Sequence, residues 1–198
     1  MQSYHNLHRC LPYSQGVVMK FSKLIKCLSL GAIMSFSVNS FAAANDIVVY
    51  FSASGNTKIV AQALAKKLDA QALAIEAKQV YTDDDLNYRQ DNCRANVEMK
   101  TPDVRPEIAN DLSAVNDKEN VYLGFPIWWG TAPRIIQTFI ESYNLEGKNI
   151  YLFCTSGGSS IDKSLSDMKA LYPKLNFVKA QRIKLGSADA DIEALLAK

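Results

Sequence analysis

The stretch Ile-Val-Val-Tyr-Phe-Ser-Ala-Ser-Gly-Asn-Thr-Lys, residues 47–58, decides the fold of this 198-residue chain. Its first five residues are apolar, which is typical of a strand buried on both faces of a parallel sheet. After the polar loop, Val60, Leu64 and Leu68 recur at the spacing of one helix face. The stretch therefore predicts a strand, a loop at its carboxyl end and a helix.

The polar loop at residues 52–57, here called the first loop, is a candidate phosphate site. Its predicted ligands are Ser52, Ser54, Gly55, Asn56 and Thr57. A helix start directs unpaired backbone N–H groups at an anion, and the hydroxyl and amide side chains add further donors. Helix capping alone explains the same residue types, so the loop by itself leaves both interpretations open.

The N-terminal part of the chain has the pattern of a secretory signal peptide. Three lysines precede an apolar run at residues 27–38, and small residues at 42–44 follow it. The run is too short to span a bilayer, although a retained membrane anchor is the alternative. We predict that residues 1–44 are an N-terminal extension and signal peptide, with translation from Met19 and a mature chain from Asn45. The mature protein is then periplasmic or secreted, without a stable membrane anchor.

Residues 45–198 form the predicted domain. Residues 1–44 hold four of the 22 basic residues and none of the 20 acidic ones, so the remainder carries a net charge of −2. It has no basic run, which argues against a nucleic-acid partner. Cys93 and Cys154 permit at most one disulfide bridge, and two isolated thiols are the alternative.

Strand and helix patterns alternate along this domain. After the first unit, the predicted strands are 72–77, 121–125, 150–154 and 177–183, the last as an edge strand. The first predicted helix after that unit spans 85–99 and is capped by Thr82 or Asp83. The next runs through Ile135 and Phe139 and is capped by Thr131. A further helix points Ile161, Leu165, Met168 and Leu171 inward, and the last spans 189–198. The alternation predicts an α/β fold with a doubly wound parallel sheet and helices on both faces.

Two further polar loops follow predicted strands. The second loop, residues 126–131, contributes Pro126, Ile127, Trp128, Trp129 and Gly130, and the third loop, residues 155–160, contributes Thr155, Ser156, Gly157, Gly158 and Ser159. Because parallel strands end at a common edge, we expect the three loops to meet there. At least one indole of the Trp128–Trp129 pair is then placed to form a wall against a flat conjugated ring.

Absent residues exclude several reaction classes. Both histidines, His5 and His8, precede residue 45, so the mature chain cannot build a Ser-His-Asp unit or a histidine metal site, and no metal is expected. Ser160 stands where a cysteine phosphatase loop after Cys154 needs arginine. Neither a nucleoside triphosphate loop nor a G-x-G-x-x-G fingerprint occurs.

The three loops resemble those of the flavodoxin-like family. Residues 50–57 are similar to its phosphate loop, T/S-x-T/S-G-x-T, residues 124–130 to its ring-contacting loop and residues 153–159 to its third loop. Arg105-Pro106-Glu107-Ile108 resembles bacterial members. The resemblance covers essentially all of residues 45–198 and implies a five-stranded sheet of order 2-1-3-4-5 with FMN as cofactor.

The resemblance also implies roles for the site residues. The first loop would bind the FMN phosphate, Trp128 and Trp129 would flank the isoalloxazine ring, and the third loop would contact its opposite edge. No catalytic side chain is required, because the flavin performs the transfer. Together with the predicted signal peptide, the resemblance implies electron transfer in the periplasm with a redox protein or small molecule as partner. An FMN-dependent reductase of quinones or other small acceptors, and a flavin-free binding module, are the alternatives.

Overall fold

The computed structural model describes residues 45–197. The predictions for the N-terminal extension, the signal peptide and its cleavage site lie outside the described residues. The strands are β1 (Asp46–Tyr50), β2 (Gln71–Ala74), β3 (Asn120–Pro126), β4 (Asn149–Thr155) and β5 (Asn176–Arg182). The α-helices are α1 (Asn56–Leu68), α2 (Arg94–Lys100), α3 (Arg134–Ser142), α4 (Asp162–Leu171) and α5 (Ala188–Leu196). Short 3-10 helices lie at Ser113–Asp117 and Leu185–Ser187.

The strands form one five-stranded sheet in the order β2-β1-β3-β4-β5, and every neighbouring pair is parallel. This confirms the doubly wound α/β sheet and its order. Alternate residues of β1 face opposite sides of the sheet, as the pleat requires. Val49 packs in one buried cluster with residues of α3 and α4, whereas Val48 packs in the other with residues of α1 and α5.

A side chain of one central strand lies close to the backbone of its neighbour just before the second loop. Gly124 of β3 pairs with Phe153 of β4, and a Cβ atom on Gly124 would lie 2.1 Å from the Phe153 ring. No real Cβ atom tolerates that distance. The Phe153 ring therefore requires glycine at position 124.

The long helix predicted at 85–99 is wrong, because α2 begins only at Arg94. Upstream of it, side chains bond the backbone locally: the Asp85 carboxylate accepts the Thr82 backbone N–H at 2.9 Å and its hydroxyl at 3.0 Å. Asn96 donates to the carbonyl oxygens of Tyr88 and Gln90 at 3.0 and 2.7 Å. Such bonds compete with the helical ladder and keep residues 82–92 in turns.

Three smaller predictions are also corrected. Thr131 does not cap α3, because its hydroxyl donates to the Asp167 carboxylate at 2.7 Å and the helix starts after Pro133. Leu171, expected to point inward from α4, is 52% exposed because it lies in the last turn, beyond the sheet contact. The second strand ends at Ala74. Of the helices between residues 45 and 197, none has the length and apolarity needed to cross a membrane.

Candidate functional site

The first loop leaves the start of α1 open to a ligand. Gly55 is the cap residue, has a φ of +89° that favours glycine, and supplies no side-chain hydrogen bond. The Ser52 hydroxyl accepts the Lys58 N–H at 3.2 Å, so it satisfies one of the first-turn donors from within the chain. Ser54 and Asn56 are exposed. The helix start therefore combines backbone donors with two free polar side chains.

Thr57 holds the first loop to the third. It is only 1% exposed, and its hydroxyl lies 2.8 Å from that of Thr155 at the end of β4. The Thr155 carbonyl in turn accepts the Ile127 N–H of the second loop at 3.0 Å. Thr155 is thus the junction at which all three loops are joined.

The second loop makes a tight turn that exposes one indole. Trp128 and Thr131 exchange backbone hydrogen bonds of 2.9 and 3.0 Å, and both residues between them have positive φ, +48° for Trp129 and +80° for Gly130. A positive φ is strained for a bulky side chain, and such strain is concentrated at functional sites. The turn leaves the Trp129 side chain 46% exposed.

Trp128 turns inward instead. Its ring meets those of Phe51 and Tyr81 edge to face, with centroids 5.8 and 5.4 Å apart. Trp129 stands perpendicular to Trp128 at 6.5 Å. The two indoles therefore differ in role: Trp128 is packed against the core, and Trp129 has a face free for a ligand.

Tyr81 belongs to a half-buried polar group in the β2–β3 connection, residues 75–119. Its hydroxyl donates to Glu98 at 2.6 Å, and Glu98 also accepts from Arg94 at 2.6 Å. The Arg94 guanidinium lies 3.9 Å from the centre of the Tyr81 ring. Burial and the bond to Glu98 raise the pKa of Tyr81, so it stays a neutral donor. The group fixes this connection beside Trp128.

All three loops surround one cavity of about 510 Å³, here called the three-loop cavity. Its walls contain predicted site residues from each loop: Ser54 and Asn56, Pro126, Ile127 and Trp128, and Thr155, Ser156 and Gly157. The convergence expected from the sequence is therefore observed. The volume lies within the usual range for small-molecule and cofactor sites.

A second cavity of about 420 Å³, here called the apolar cavity, adjoins the first. Ser54, Pro126, Ile127 and Trp128 line both cavities. The apolar cavity is otherwise lined by Ala53, by Trp129 and, from the β2–β3 connection, by Leu86, Tyr88 and Ala95. The predicted site residues that line neither cavity are Ser52, Gly55, Thr57, Gly130, Gly158 and Ser159.

The sequence analysis missed the contribution of the last strand. Arg182 ends β5, and together with Ile183, Lys184 and Leu185 it lines the three-loop cavity. The available signal was the position of these residues at the end of a predicted strand, at the edge where the other loops meet. Leu86 and Tyr88 were missed because residues 85–99 were predicted to form a helix.

The thiols and the acidic groups offer no other chemistry at this edge. Cys93 and Cys154 are both buried free thiols, and burial raises the pKa of Cys154 to about 12. Within residues 45–197, no group of three or more His, Cys, Asp or Glu side chains is arranged to hold a metal ion. The site offers hydroxyls, backbone N–H groups, aromatic rings and two basic side chains.

Solved structures share this fold over the described residues. A Bacteroides eggerthii DSM 20697 protein provisionally classed as a flavoprotein is 36% identical, with a TM-score of 0.71 over 77% of this chain and 98% of its own. A protein from Bacteroides uniformis ATCC 8492, classed in the same way, is 35% identical, with a TM-score of 0.73 over 77% and 97%. A flavoprotein in complex with FMN from Lactobacillus acidophilus NCFM is 21% identical, with a TM-score of 0.62 over 77% and 98%.

No curated protein matches the chain. The sequence model of the flavodoxin family matches residues 45–197, which is the whole described domain. With the five-stranded sheet and the three loops at its carboxyl edge, this match confirms the resemblance read from the sequence. The chain belongs to the flavodoxin family.

Proposed function

We propose that the chain binds FMN in the three-loop cavity and acts in electron transfer. The observation that carries this proposal is the convergence of all three loops on a single cavity of about 510 Å³. Membership of the flavodoxin family supports it, as does the FMN bound to the Lactobacillus acidophilus flavoprotein of the same fold.

The donor set suits the phosphate end of FMN. The open start of α1 provides backbone N–H groups and the positive end of the helix dipole, and both favour an anion. Ser54 and Asn56 line the cavity beside them. Ser52 and Thr57 support the loop through their bonds to the Lys58 N–H and the Thr155 hydroxyl. The phosphate would therefore be held by Ser54, Asn56 and the first backbone N–H groups.

The second and third loops suit the ring end. Pro126, Ile127 and Trp128 provide flat and apolar surface, while Ser156 and Gly157 bring backbone polar groups to the same cavity. When bound, FMN supplies the electron-transfer chemistry. The residues of the chain bind it, orient it and set the charge around it.

The phosphate assignment is tested by comparing FMN with riboflavin, which lacks the phosphate. We expect the protein to bind FMN at least tenfold more tightly than riboflavin, and Asn56→Asp to remove most of that preference by placing a negative charge beside the phosphate. Gln62→Glu adds the same charge to an exposed position on α1 and serves as the control. Equal affinity for both flavins would overturn the assignment of the first loop.

A second candidate function is reduction of small aromatic acceptors such as quinones. The apolar cavity favours it, because Leu86, Tyr88 and Trp129 provide a site for a flat apolar molecule next to the proposed flavin. Turnover of 2-methyl-1,4-naphthoquinone by the reduced flavoprotein, with a KM raised by Leu86→Ala, would support the reductase. Electron exchange only with a protein partner would support the carrier. A protein that takes up no flavin would instead be a binding module.

We also propose export to the periplasm. The supporting observation is the order of lysines, apolar run and small residues within positions 20–44. Cell fractionation followed by N-terminal sequencing tests this proposal. We expect periplasmic protein that begins at Asn45, and a cytosolic protein retaining Met19 would contradict it.

A further inference from the structure

The three-loop cavity has a cationic wall formed by the end of β5. Arg182 and Lys184 both line the cavity, and none of its lining residues in the described part of the chain is acidic. The start of α1, where Asn56 lines the same cavity, adds the positive end of a helix dipole. The cavity therefore favours negative charge, although residues 45–198 carry a net charge of −2.

Arg182 is fixed directly behind the third loop. Its guanidinium donates to the carbonyl oxygens of Ser156, Gly157 and Gly158 at 3.5, 3.4 and 3.2 Å. These bonds lie at or beyond the long end of the normal range, so they hold the group in place without pairing it strongly. The guanidinium thus keeps its charge available to whatever the third loop contacts.

Two further observations show that this charge is incompletely compensated. The Arg182 Nε atom is buried and has no hydrogen-bond partner among residues 45–197, and no carboxylate in this part of the chain forms an ion pair with Arg182. Asp191 interacts electrostatically with Arg182, and its carboxylate accepts the Lys184 N–H at 2.9 Å and the Ser187 hydroxyl at 3.1 Å. Asp191 does not line the cavity. A buried donor without a partner is rare unless a ligand or a water molecule satisfies it.

We propose that Arg182, assisted by Lys184, makes this site bind reduced FMN more tightly than the same site would without the cation. The inference rests on the proposed function, in which the three-loop cavity holds FMN. Uptake of two electrons and one proton gives the ring one more negative charge than its oxidised form. A fixed cation in a partly desolvated cavity stabilises that added charge and raises the two-electron midpoint potential. The protein is then tuned to accept electron pairs rather than to act as a strong reductant.

This role differs from binding the phosphate. The phosphate carries its charge in both redox states, so a cation that contacts only the phosphate stabilises both states equally and leaves the potential unchanged. Arg182 is bonded to the third loop, whereas the proposed phosphate donors lie in the first loop. The ratio of affinities for reduced and oxidised FMN therefore separates the two roles.

The test compares the purified protein with Arg182→Gln, Arg182→Lys and Lys169→Gln. For each, the dissociation constant of oxidised FMN is measured by titration and the two-electron midpoint potential by spectroelectrochemistry. We expect Arg182→Gln to lose about tenfold of the preference for reduced FMN, which equals a fall of about 30 mV in the potential. Arg182→Lys should keep most of the potential. Lys169 is exposed on α4 and lines neither cavity, so Lys169→Gln should leave it unchanged.

Asp191→Asn provides a second test that does not alter Arg182. The amide keeps an oxygen to accept the Lys184 and Ser187 donors, whereas the negative charge near Arg182 is removed. The backbone N–H of Lys184 lowers the pKa of Asp191, so the residue is ionised at neutral pH. We expect Asp191→Asn to raise the two-electron midpoint potential, whereas Arg182→Gln should lower it.

Each outcome decides between the proposals. A potential that does not fall in Arg182→Gln and does not rise in Asp191→Asn overturns the inference while FMN binding stands. A fall in FMN affinity that is equal for both redox states and absent with riboflavin assigns Arg182 to the phosphate and also overturns it. If the unsubstituted protein takes up no FMN, the proposed function fails and the inference fails with it.

Discussion

The two cavities at the carboxyl edge of the sheet share one wall, and the chemistry of their remaining lining residues differs. Ser54, Pro126, Ile127 and Trp128 face both of them. The three-loop cavity adds hydroxyls, glycine backbone and the cations at and just after the end of β5, whereas the apolar cavity adds Ala53, Leu86, Tyr88, Ala95 and Trp129. One is suited to a charged and polar ligand, and the other to a flat apolar one.

The difference follows from how each cavity is built. The three-loop cavity is formed by residues at or soon after the carboxyl ends of β1, β3, β4 and β5, so its position is fixed by the sheet. The apolar cavity depends on the β2–β3 connection, which the Tyr81, Arg94 and Glu98 group holds in place. In the proposed function, residues at the ends of the strands recognise the cofactor, and the β2–β3 connection selects any second molecule.

The largest expected effect comes from removing the shared wall. Trp128→Ala deletes an indole that packs on Phe51 and Tyr81, and we expect it to lower the free energy of unfolding by about 3 kcal/mol. Both cavities should then lose their ligands. Chemical denaturation measures the effect, and Trp129→Ala is the control because its side chain is half exposed. Equal destabilisation by the two substitutions would contradict the assigned division of roles.

A smaller effect should be confined to the three-loop cavity. Thr57→Val leaves the buried Thr155 hydroxyl without its partner, which costs about 1–3 kcal/mol. The double variant Thr57→Val with Thr155→Val removes both hydroxyls and should be less destabilised than the sum of the two single variants. Denaturation of all four proteins completes the cycle. Strict additivity would show that the hydroxyls do not interact.

Trp129 tests the ring contact rather than the fold. Trp129→Ala should weaken FMN binding by about 1–3 kcal/mol if its free face stacks on the ring. The free energy of unfolding of the flavin-free protein should change by less than about 0.5 kcal/mol, because the side chain is exposed. Flavin fluorescence titration measures the affinity. An unchanged affinity would assign the ring contact to Trp128 or to another residue.

The smallest effect concerns the hydrogen bond between Thr131 of the second loop and Asp167 of α4. Burial opposes ionisation of Asp167, but hydrogen bonds from Lys163 and Thr131 outweigh it and lower the pKa of Asp167. Because its pKa is lowered, the ionised Asp167 carboxylate stabilises the fold at pH values above the ordinary pKa of 3.8. This contribution is lost as the pH falls through the lowered pKa. Asp167→Asn should therefore cost under about 1 kcal/mol at pH 7 and less at pH 2 to 3. A cost independent of pH would show that the carboxylate charge contributes nothing.

Much of the fold could be predicted because each buried strand carries its own signal. Five apolar residues at 47–51 and the matching runs in β3 and β4 mark strands whatever surrounds them, and the order of strands and helices then restricts the sheet. The convergence of the three loops followed from the same rule. Local side-chain bonds at Thr82, Asp85 and Asn96 were not predictable from periodicity, and they decided the β2–β3 connection.

The individual roles of the site residues were harder to predict from the sequence than the fold was. Trp128 and Trp129 are identical in sequence pattern, and only the turn between Trp128 and Thr131 sends one indole inward and the other outward. In the sequence, Arg182 is one basic residue of a predicted edge strand in which apolar residues alternate with basic or polar ones. Its place behind the third loop results from the pairing of β5 with β4, a long-range contact that no local pattern encodes.

The central claim is that the three-loop cavity is the FMN site, and a crystal structure of the protein grown with FMN tests it most directly. We predict one FMN per chain, with its phosphate at the start of α1 beside Ser54 and Asn56 and its ring between the second and third loops. An FMN whose phosphate lies away from the start of α1, or a protein that crystallises without FMN at saturating concentration, would contradict the claim.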